Sequence, residues 1–210
     1  MSVDLPLACR CGKVRGQALG VTPSSVNRVV CHCDDCQAFA TWLGDTSDVL
    51  DDHAGTDIAQ VPPARVKITE GHEHLALMRL SPKGLFRWYA SCCRTPIGNS
   101  MTKPGMAFVG LVHTFVDHSE HDRDTVMGPP RGRIHGRFIP VEQRQGSTAH
   151  PKAPPMLLGR TAAKLLGWKL SGQALPHPFF SEAGEPLSTP HVISKEERFA
   201  LPKGLPEAEG

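Results

Sequence analysis

Three cysteines fall within six residues, Cys31, Cys33 and Cys36 in "CHCDDC", and we refer to them as the trio. Cysteine thiolates bind zinc, and a Cys-x-x-Cys spacing needs only a turn to bring both sulfurs to one ion. Structural zinc sites are usually closed by four protein ligands, whereas catalytic sites keep one position for water or substrate. A thiol that entered such a position would ionise, because the thiolate is the ligand. The trio therefore predicts an open zinc site for carbon–sulfur chemistry.

The other four cysteines form the four-cysteine group: Cys9 and Cys11 in "CRCG", Cys92 and Cys93 in "SCCRTP". The simplest partition places them around a second zinc. Two thiolates on one tetrahedral zinc lie roughly 3.8 Å apart, whereas strand residues i and i+2 lie roughly 7 Å apart. Cys-x-Cys therefore requires a bend, which Gly12 favours. Adjacent Cys92 and Cys93 reach one ion only at a sharp turn, so a buried Cys92 that binds nothing is an alternative.

Other interpretations of the cysteines stay open at this point. His32 or a distant histidine could close the trio and make it purely structural. Iron–sulfur clusters also use thiolates, but the spacing lacks the usual ferredoxin runs. Cys92 and Cys93 could instead form a redox-sensing pair. Asp34 and Asp35 are interpreted as solvated turn residues.

Composition narrows the class of protein. The chain has 210 residues, a net charge of +2 and seven cysteines, an odd number that excludes a complete disulfide framework. The start of the sequence lacks signal-peptide features, and no apolar run approaches the roughly 20 residues of a membrane span. We therefore expect a cytoplasmic protein with reduced thiols. The densest basic stretch, "RGRIHGR" at 131–137, is interpreted as a solvated loop, with an anion site as the alternative. Since the sequence has no continuous basic stripe and no membrane span, we expect no nucleic-acid or membrane partner.

The elements that must position these cysteines are mostly strands. Alternating apolar residues predict strands at Val66–Glu70, Leu75–Leu80, Leu85–Tyr89, Ala107–Phe115 and Arg133–Pro140. The turn signal Ser81–Gly84 predicts a hairpin. A helical turn is expected at Asp34–Leu43, directly after the first thiols of the trio.

The pattern changes after residue 150. Met156–Leu170 has the helical spacing of an amphipathic helix, with apolar positions at Leu157, Leu158, Ala162, Leu165, Leu166 and Trp168. From Pro176 onward we expect an irregular Pro-rich arm, anchored by "HPFF" at His177–Phe180. The sequence thus predicts a mainly β protein, with a zinc-binding domain over 1–150 and a C-terminal helix and arm over 151–210 packed on it.

Taken together, "CRCGKV", "CHCDDCQ" and "CCRTPIGN" resemble the family of glutathione-dependent formaldehyde-activating enzymes and centromere protein V, over approximately residues 5–140. The resemblance implies an Mss4-like antiparallel β fold. It implies that Cys9, Cys11 and Cys93 hold a structural zinc. It also implies a labile catalytic zinc on Cys31, Cys33 and Cys36. The associated activity is formation or cleavage of S-(hydroxymethyl)glutathione, a carbon–sulfur lyase reaction.

Two departures from the family motif concern the late cysteines. The family has Cys-x-x-Cys-Gly-Thr-Pro, and here Ala90 stands at the first cysteine and Arg94 at the glycine. Either Cys92 therefore substitutes through a changed turn, or the site has only three thiols. Arg94 replaces a glycine, the residue that a backbone with positive φ favours. Arg87, Arg94 and Lys83 are nearby cations that could meet a carboxylate.

Two functions follow as expectations. The first is a zinc-dependent carbon–sulfur lyase or thiol-adduct synthase whose partners are a small thiol such as glutathione and a small carbonyl. The second is a non-catalytic, zinc-stabilised binding module. A fourth protein ligand at the trio would favour the module, and an open position would favour chemistry.

Overall fold

A computed structural model describes residues 2–201. The strands are β1 Val3–Ala8, β2 Arg15–Val21, β3 Asn27–Cys31, β4 Thr56–Val61, β5 Val66–Glu70, β6 Leu75–Arg79, β7 Phe86–Ala90, β8 Pro96–Ser100, β9 Val109–Val112, β10 Arg133–Ile134 and β11 His191–Val192. The helices are α1 Asp34–Leu43, α2 Thr46–Val49, α3 Arg123–Met127, α4 Pro155–Leu170 and α5 Lys195–Ala200. The prediction of a mainly β fold is confirmed.

The strands form two sheets. One sheet has three antiparallel strands in the order β1-β2-β5. The other has eight, in the order β10-β3-β4-β9-β8-β7-β6-β11, and its six inner strands are antiparallel. Its two edge strands are two-residue segments that pair in parallel, β10 with β3 and β11 with β6. Such short edge strands leave little exposed edge for pairing with another chain.

The main core is built around Trp88 of β7, which is fully buried. Side chains alternate along a strand, so Phe86 and Ala90 face the same core while Arg87 faces the other side of the sheet. Phe179 stacks on Trp88 with ring centroids 4.7 Å apart, and Phe180 stacks on Phe86 at 6.0 Å. The predicted aromatic anchor at His177–Phe180 is confirmed by these contacts.

Several predicted elements agree closely with the structure. The strand at Val66–Glu70 and the helix at Asp34–Leu43 have the predicted bounds. The hairpin across Ser81–Gly84 is present. β6 ends one residue earlier than predicted, and β7 lies one residue later than predicted. The C-terminal helix begins one residue earlier than predicted, at Pro155.

Two predicted strands are wrong in length. The strand expected over Ala107–Phe115 is confined to β9, and a 3₁₀ turn at His113–Phe115 ends it. The strand expected over Arg133–Pro140 is the two-residue β10, because His135 adopts a left-handed backbone with φ of 62° and breaks the extended chain.

The arm after Pro176 is less irregular than predicted. It contributes β11 to the large sheet and ends in α5. The start of α5 is stabilised by a capping box, in which the side chains of Ser194 and Glu197 each bond to the other's backbone N–H.

Only a narrow stripe of α4 is buried, at Leu157 and Trp168. Leu158 and Leu166, which the amphipathic pattern assigned to the apolar face, are 55% and 57% exposed, so that part of the prediction is wrong. Within the described residues, no helix has both the length and the apolar character needed to cross a membrane. The domain division at residue 150 stays a prediction.

Candidate metal centres

The four-cysteine group joins the two sheets at their turns. Cys9 and Cys11 lie in the β1–β2 turn, and Cys92 and Cys93 lie in the β7–β8 turn. Their Sγ–Sγ distances include 3.3 Å for Cys11–Cys92, 3.6 Å for Cys9–Cys11 and 3.8 Å for Cys9–Cys92. Thiolates on one tetrahedral zinc lie roughly 3.8 Å apart. The geometry therefore fits one metal ion, and Cys92 belongs to the group.

Both turns contain a left-handed residue where the chain bends. Gly12 has φ of 75°, and Arg94, at the position of the family's glycine, has φ of 59°. A non-glycine residue in this region costs roughly 1–2 kcal/mol. The Arg94 guanidinium donates to the Leu43 and Trp42 carbonyl oxygens and lies 4.8 Å from the Trp42 ring centroid. These contacts offset the strain and keep the changed turn in place.

The thiols of the four-cysteine group are not equivalent. Burial acts to raise the pKa of Cys93, but hydrogen bonds from Thr95 and the Cys11 backbone outweigh it and lower the pKa to about 6. Burial raises the pKa of Cys9 and of Cys92. The protein thus stabilises thiolate charge at Cys93 within a cluster of four sulfurs.

The trio lies where β3 passes into α1. Cys31 is the last residue of β3, Cys33 is the N-cap of α1, and Cys36 lies in its first turn. The backbone N–H of Cys36 donates to the Cys33 carbonyl oxygen at 3.0 Å, which folds the chain back. All three Sγ atoms lie within 4.8 Å of one another. The positive end of a helix also favours thiolates, so the donor set fits a metal ion.

No fourth ligand completes the trio among residues 2–201, because no further His, Cys, Asp or Glu atom joins the cluster. His32 is fully buried and its Nδ1 lies 2.8 Å from the His53 carbonyl oxygen. Its ring packs against Gly55, where an added Cβ would lie 2.5 Å from Cε1. Neither ring nitrogen of His32 is among the donor atoms that converge at the trio.

A buried cation accompanies the trio. The Arg87 side chain is 4% exposed, hydrogen-bonds to Cys36, and lies 3.5 Å from a carboxylate oxygen of Asp35. Hydrogen bonds from Cys31 and Cys33 lower the pKa of Cys36, and Arg87 lowers it further. The neighbouring thiols raise the pKa of Cys31. Thiolate charge therefore concentrates on Cys36, next to the guanidinium. From the sequence, Arg87 was predicted only to be a cation near the late cysteines, and its contact with the trio was not predicted.

Two sets of contacts around the trio were not predicted from the sequence. Arg198 of α5 lies 3.1 Å from Asp34 and 3.2 Å from Asp35, so these acids are ion-paired and the interpretation as solvated turn residues is wrong. Leu157 of α4 belongs to the same buried cluster as Cys31 and Cys36. Sequence spacing carries no signal for either contact, since more than 100 residues separate the partners. The helix and the arm therefore enclose the trio.

Fold and sites together define a mainly β protein with two cysteine clusters that could each hold a metal ion. The chain belongs to the family of unknown function DUF6151, which it matches over residues 1–189. The matched range includes α4 and the aromatic anchor. No curated protein matches the chain.

Proposed function

We propose that the protein is a zinc-dependent carbon–sulfur lyase or thiol-adduct synthase, similar to S-(hydroxymethyl)glutathione synthase. The observation that carries this proposal is the set of donor atoms at the trio: three thiols converge, and no fourth protein ligand joins them in the described part of the chain. Closed four-ligand sites are typical of structural zinc, and three-ligand sites leave room for a substrate. The four-cysteine group supports a structural zinc.

The surroundings of the trio suit a thiolate reagent. Zinc bound there would supply a position at which a substrate thiol ionises. Arg87 lies beside Cys36 and offsets the negative charge that three thiolates, and a fourth from substrate, bring to a buried position. Leu157 belongs to the same buried cluster as Cys31 and Cys36, and both cysteines are largely shielded from water. Exclusion of water strengthens the electrostatic interactions within the site.

The reaction balances without an external oxidant or reductant. The substrate sulfur forms a bond to the carbonyl carbon, and the carbonyl π electrons move to oxygen. The proton lost by the thiol ends on that oxygen, giving a hydroxymethyl thioether from formaldehyde. Cleavage is the same sequence in reverse. A small thiol such as glutathione and a small carbonyl are thus the proposed partners, and all seven free cysteines suit a reducing, cytoplasmic location.

Substitution of one member of the trio tests the proposal. Cys36→Ser should lose one zinc per chain and all thiol–formaldehyde turnover, while the far-UV circular dichroism spectrum stays that of the wild type. The zinc retained by the four-cysteine group is the internal control, measured by elemental analysis. Retained turnover with one zinc would remove the role assigned to the trio.

A non-catalytic, zinc-stabilised binding module is the second candidate, and the outer face of α4 favours it. Leu158, Leu166 and Leu170 are more than half exposed on this helix, as in surfaces that bind other proteins. This candidate predicts that both zinc ions resist thiols and that no thiol–carbonyl pair is turned over. Leu166→Glu would then abolish partner binding, whereas Cys36→Ser would leave it intact.

A further inference from the structure

A cavity of about 400 Å³ opens at the start of α4. Its walls include two arginines, Arg131 and Arg160, together with His150 and the apolar side chains of Met156 and Leu157. A concave site that combines apolar walls with a few polar groups is typical of small-molecule binding.

The positive charge of this cavity is not balanced by the protein. The Arg160 guanidinium makes no hydrogen bond or ion pair with any residue in the range 2–201. Arg131 donates to the Pro23 carbonyl oxygen at 3.0 Å and meets no carboxylate within the same range. From Gln143 to Ser181 the sequence has five Lys or Arg residues and no Asp or Glu. Two guanidinium groups at one cavity therefore favour an anion, since their planar donors match a carboxylate.

Leu157 connects the cavity to the trio. It lines the cavity and also packs in the buried cluster that contains Cys31 and Cys36. Leu157 is thus common to the cavity and to the buried cluster around the trio. A ligand in which one or two residues lie between sulfur and carboxylate spans roughly 4–7 Å. Such a ligand could place its carboxylate against Arg160 and its sulfur at the trio.

We propose that this cavity binds the carboxylate end of the thiol substrate, with Arg160 and Arg131 as its anion-recognising residues. For the thiol end of the ligand, the inference rests on the proposed function. For the carboxylate end, it rests only on the residues that line the cavity. Arg160 and Arg131 are therefore specificity-determining residues, and neutral thiols gain nothing from them.

Calorimetric titration with S-methylglutathione tests the anion end separately, because this probe keeps both carboxylates and has no free thiol. The zinc-loaded wild type should bind it, and Arg160→Gln should weaken binding about 10-fold, the loss of one charge-assisted contact. Lys169→Gln is the matched control, an equal charge change on the exposed side of α4 away from the cavity. Its affinity should stay that of the wild type. Equal affinity of wild type and Arg160→Gln, equal loss in both variants, or no binding would overturn the proposal.

Cobalt loading distinguishes this inference from the proposed function. With Co²⁺ in place of zinc, thiol coordination adds a sulfur-to-metal charge-transfer band. In this titration, Arg160→Gln should lower the affinity for glutathione and leave the affinity for 2-mercaptoethanol unchanged. If both thiols give the band and Arg160→Gln weakens neither, the cavity inference fails and the function stands. If S-methylglutathione binding depends on Arg160 but neither thiol gives the band, the cavity stands and the function fails.

Discussion

The two cysteine clusters use the same ligand in opposite structural settings. The four-cysteine group lies in two turns that belong to different sheets, and Cys11 is exposed to solvent. The trio lies within six residues at one strand–helix junction, in a buried cluster with Leu157 of α4 and beside a buried arginine. A metal in the first cluster would hold distant segments together. A metal in the second would add little to the connectivity of the fold.

The two clusters are therefore expected to have different roles. Four thiols saturate a tetrahedral ion, so the four-cysteine group suits a closed, structural role. Three thiols leave one coordination position free. The surroundings of the trio bury its sulfurs, and Arg87 balances their negative charge. Stability should therefore depend on the first cluster, and thiol chemistry on the second.

The largest effect is expected at Cys11. Structural zinc contributes about 10–16 kcal/mol in small zinc-binding peptides, comparable to the whole stability of a domain. Cys11→Ala should therefore unfold the domain and release the structural zinc, although substitution at an exposed position usually changes stability by about 0.5 kcal/mol or less. Circular dichroism melting checks this, with Lys13→Ala in the same exposed turn as control. A soluble Cys11→Ala protein that melts cooperatively near the wild-type temperature would contradict the structural role.

A second test separates the two regions through the aromatic anchor. Phe179 is fully buried in the cluster that contains Cys9, and not in the cluster of the trio. Phe179→Ala should lower the free energy of unfolding by about 3–5 kcal/mol, measured by urea denaturation. Leu170→Ala, 79% exposed, is the control and should change little. The zinc affinity of the trio should not change. A loss of zinc there would show that the two regions are one cooperative unit.

The anchor also predicts a pH dependence. Burial lowers the pKa of His177 from 6.5 to about 4. Between these pH values the unfolded chain binds a proton and the folded chain does not, so stability is complete above pH 6.5 and falls as pH falls toward 4. The loss amounts to about 3 kcal/mol.

Urea denaturation at several pH values measures this loss, and His177→Asn removes the titrating group. Acid releases zinc from the wild type and the variant alike, so their difference isolates His177. If the free energies of unfolding of the two proteins change in parallel between pH 4 and 6.5, the protonation of His177 does not depend on folding.

The smallest effect is expected at Arg87. Removing groups that support metal ligands typically lowers metal affinity about 10–100-fold. Arg87→Gln should weaken zinc binding at the trio by this factor and leave the four-cysteine group unchanged, in competition with a chelator. Arg87→Lys should restore part of the affinity. Arg79→Gln on the neighbouring strand is the control, and equal losses for both glutamine variants would show a general structural effect.

Local patterns in the sequence were sufficient for some of this architecture. Alternation identified β5 and the β6–β7 hairpin. The simplest partition of the seven cysteines agrees with the two groups that the structure brings together. Strand β8 was missed, because "PIGNS" begins with proline, contains glycine and has no alternating pattern. The enclosure of the trio was also missed. It depends on Leu157 and Arg198 meeting the N-terminal half of the chain, and such long-range contacts leave no local signal.

The most direct test of the account is zinc content per chain, measured by elemental analysis before and after glutathione is added with a mild chelator. The account predicts two zinc ions, of which one leaves when thiol and chelator are present together. Cys36→Ser should begin with one zinc and lose none. Two ions that both resist removal, or a wild type with a single inert zinc, would contradict an open site at the trio.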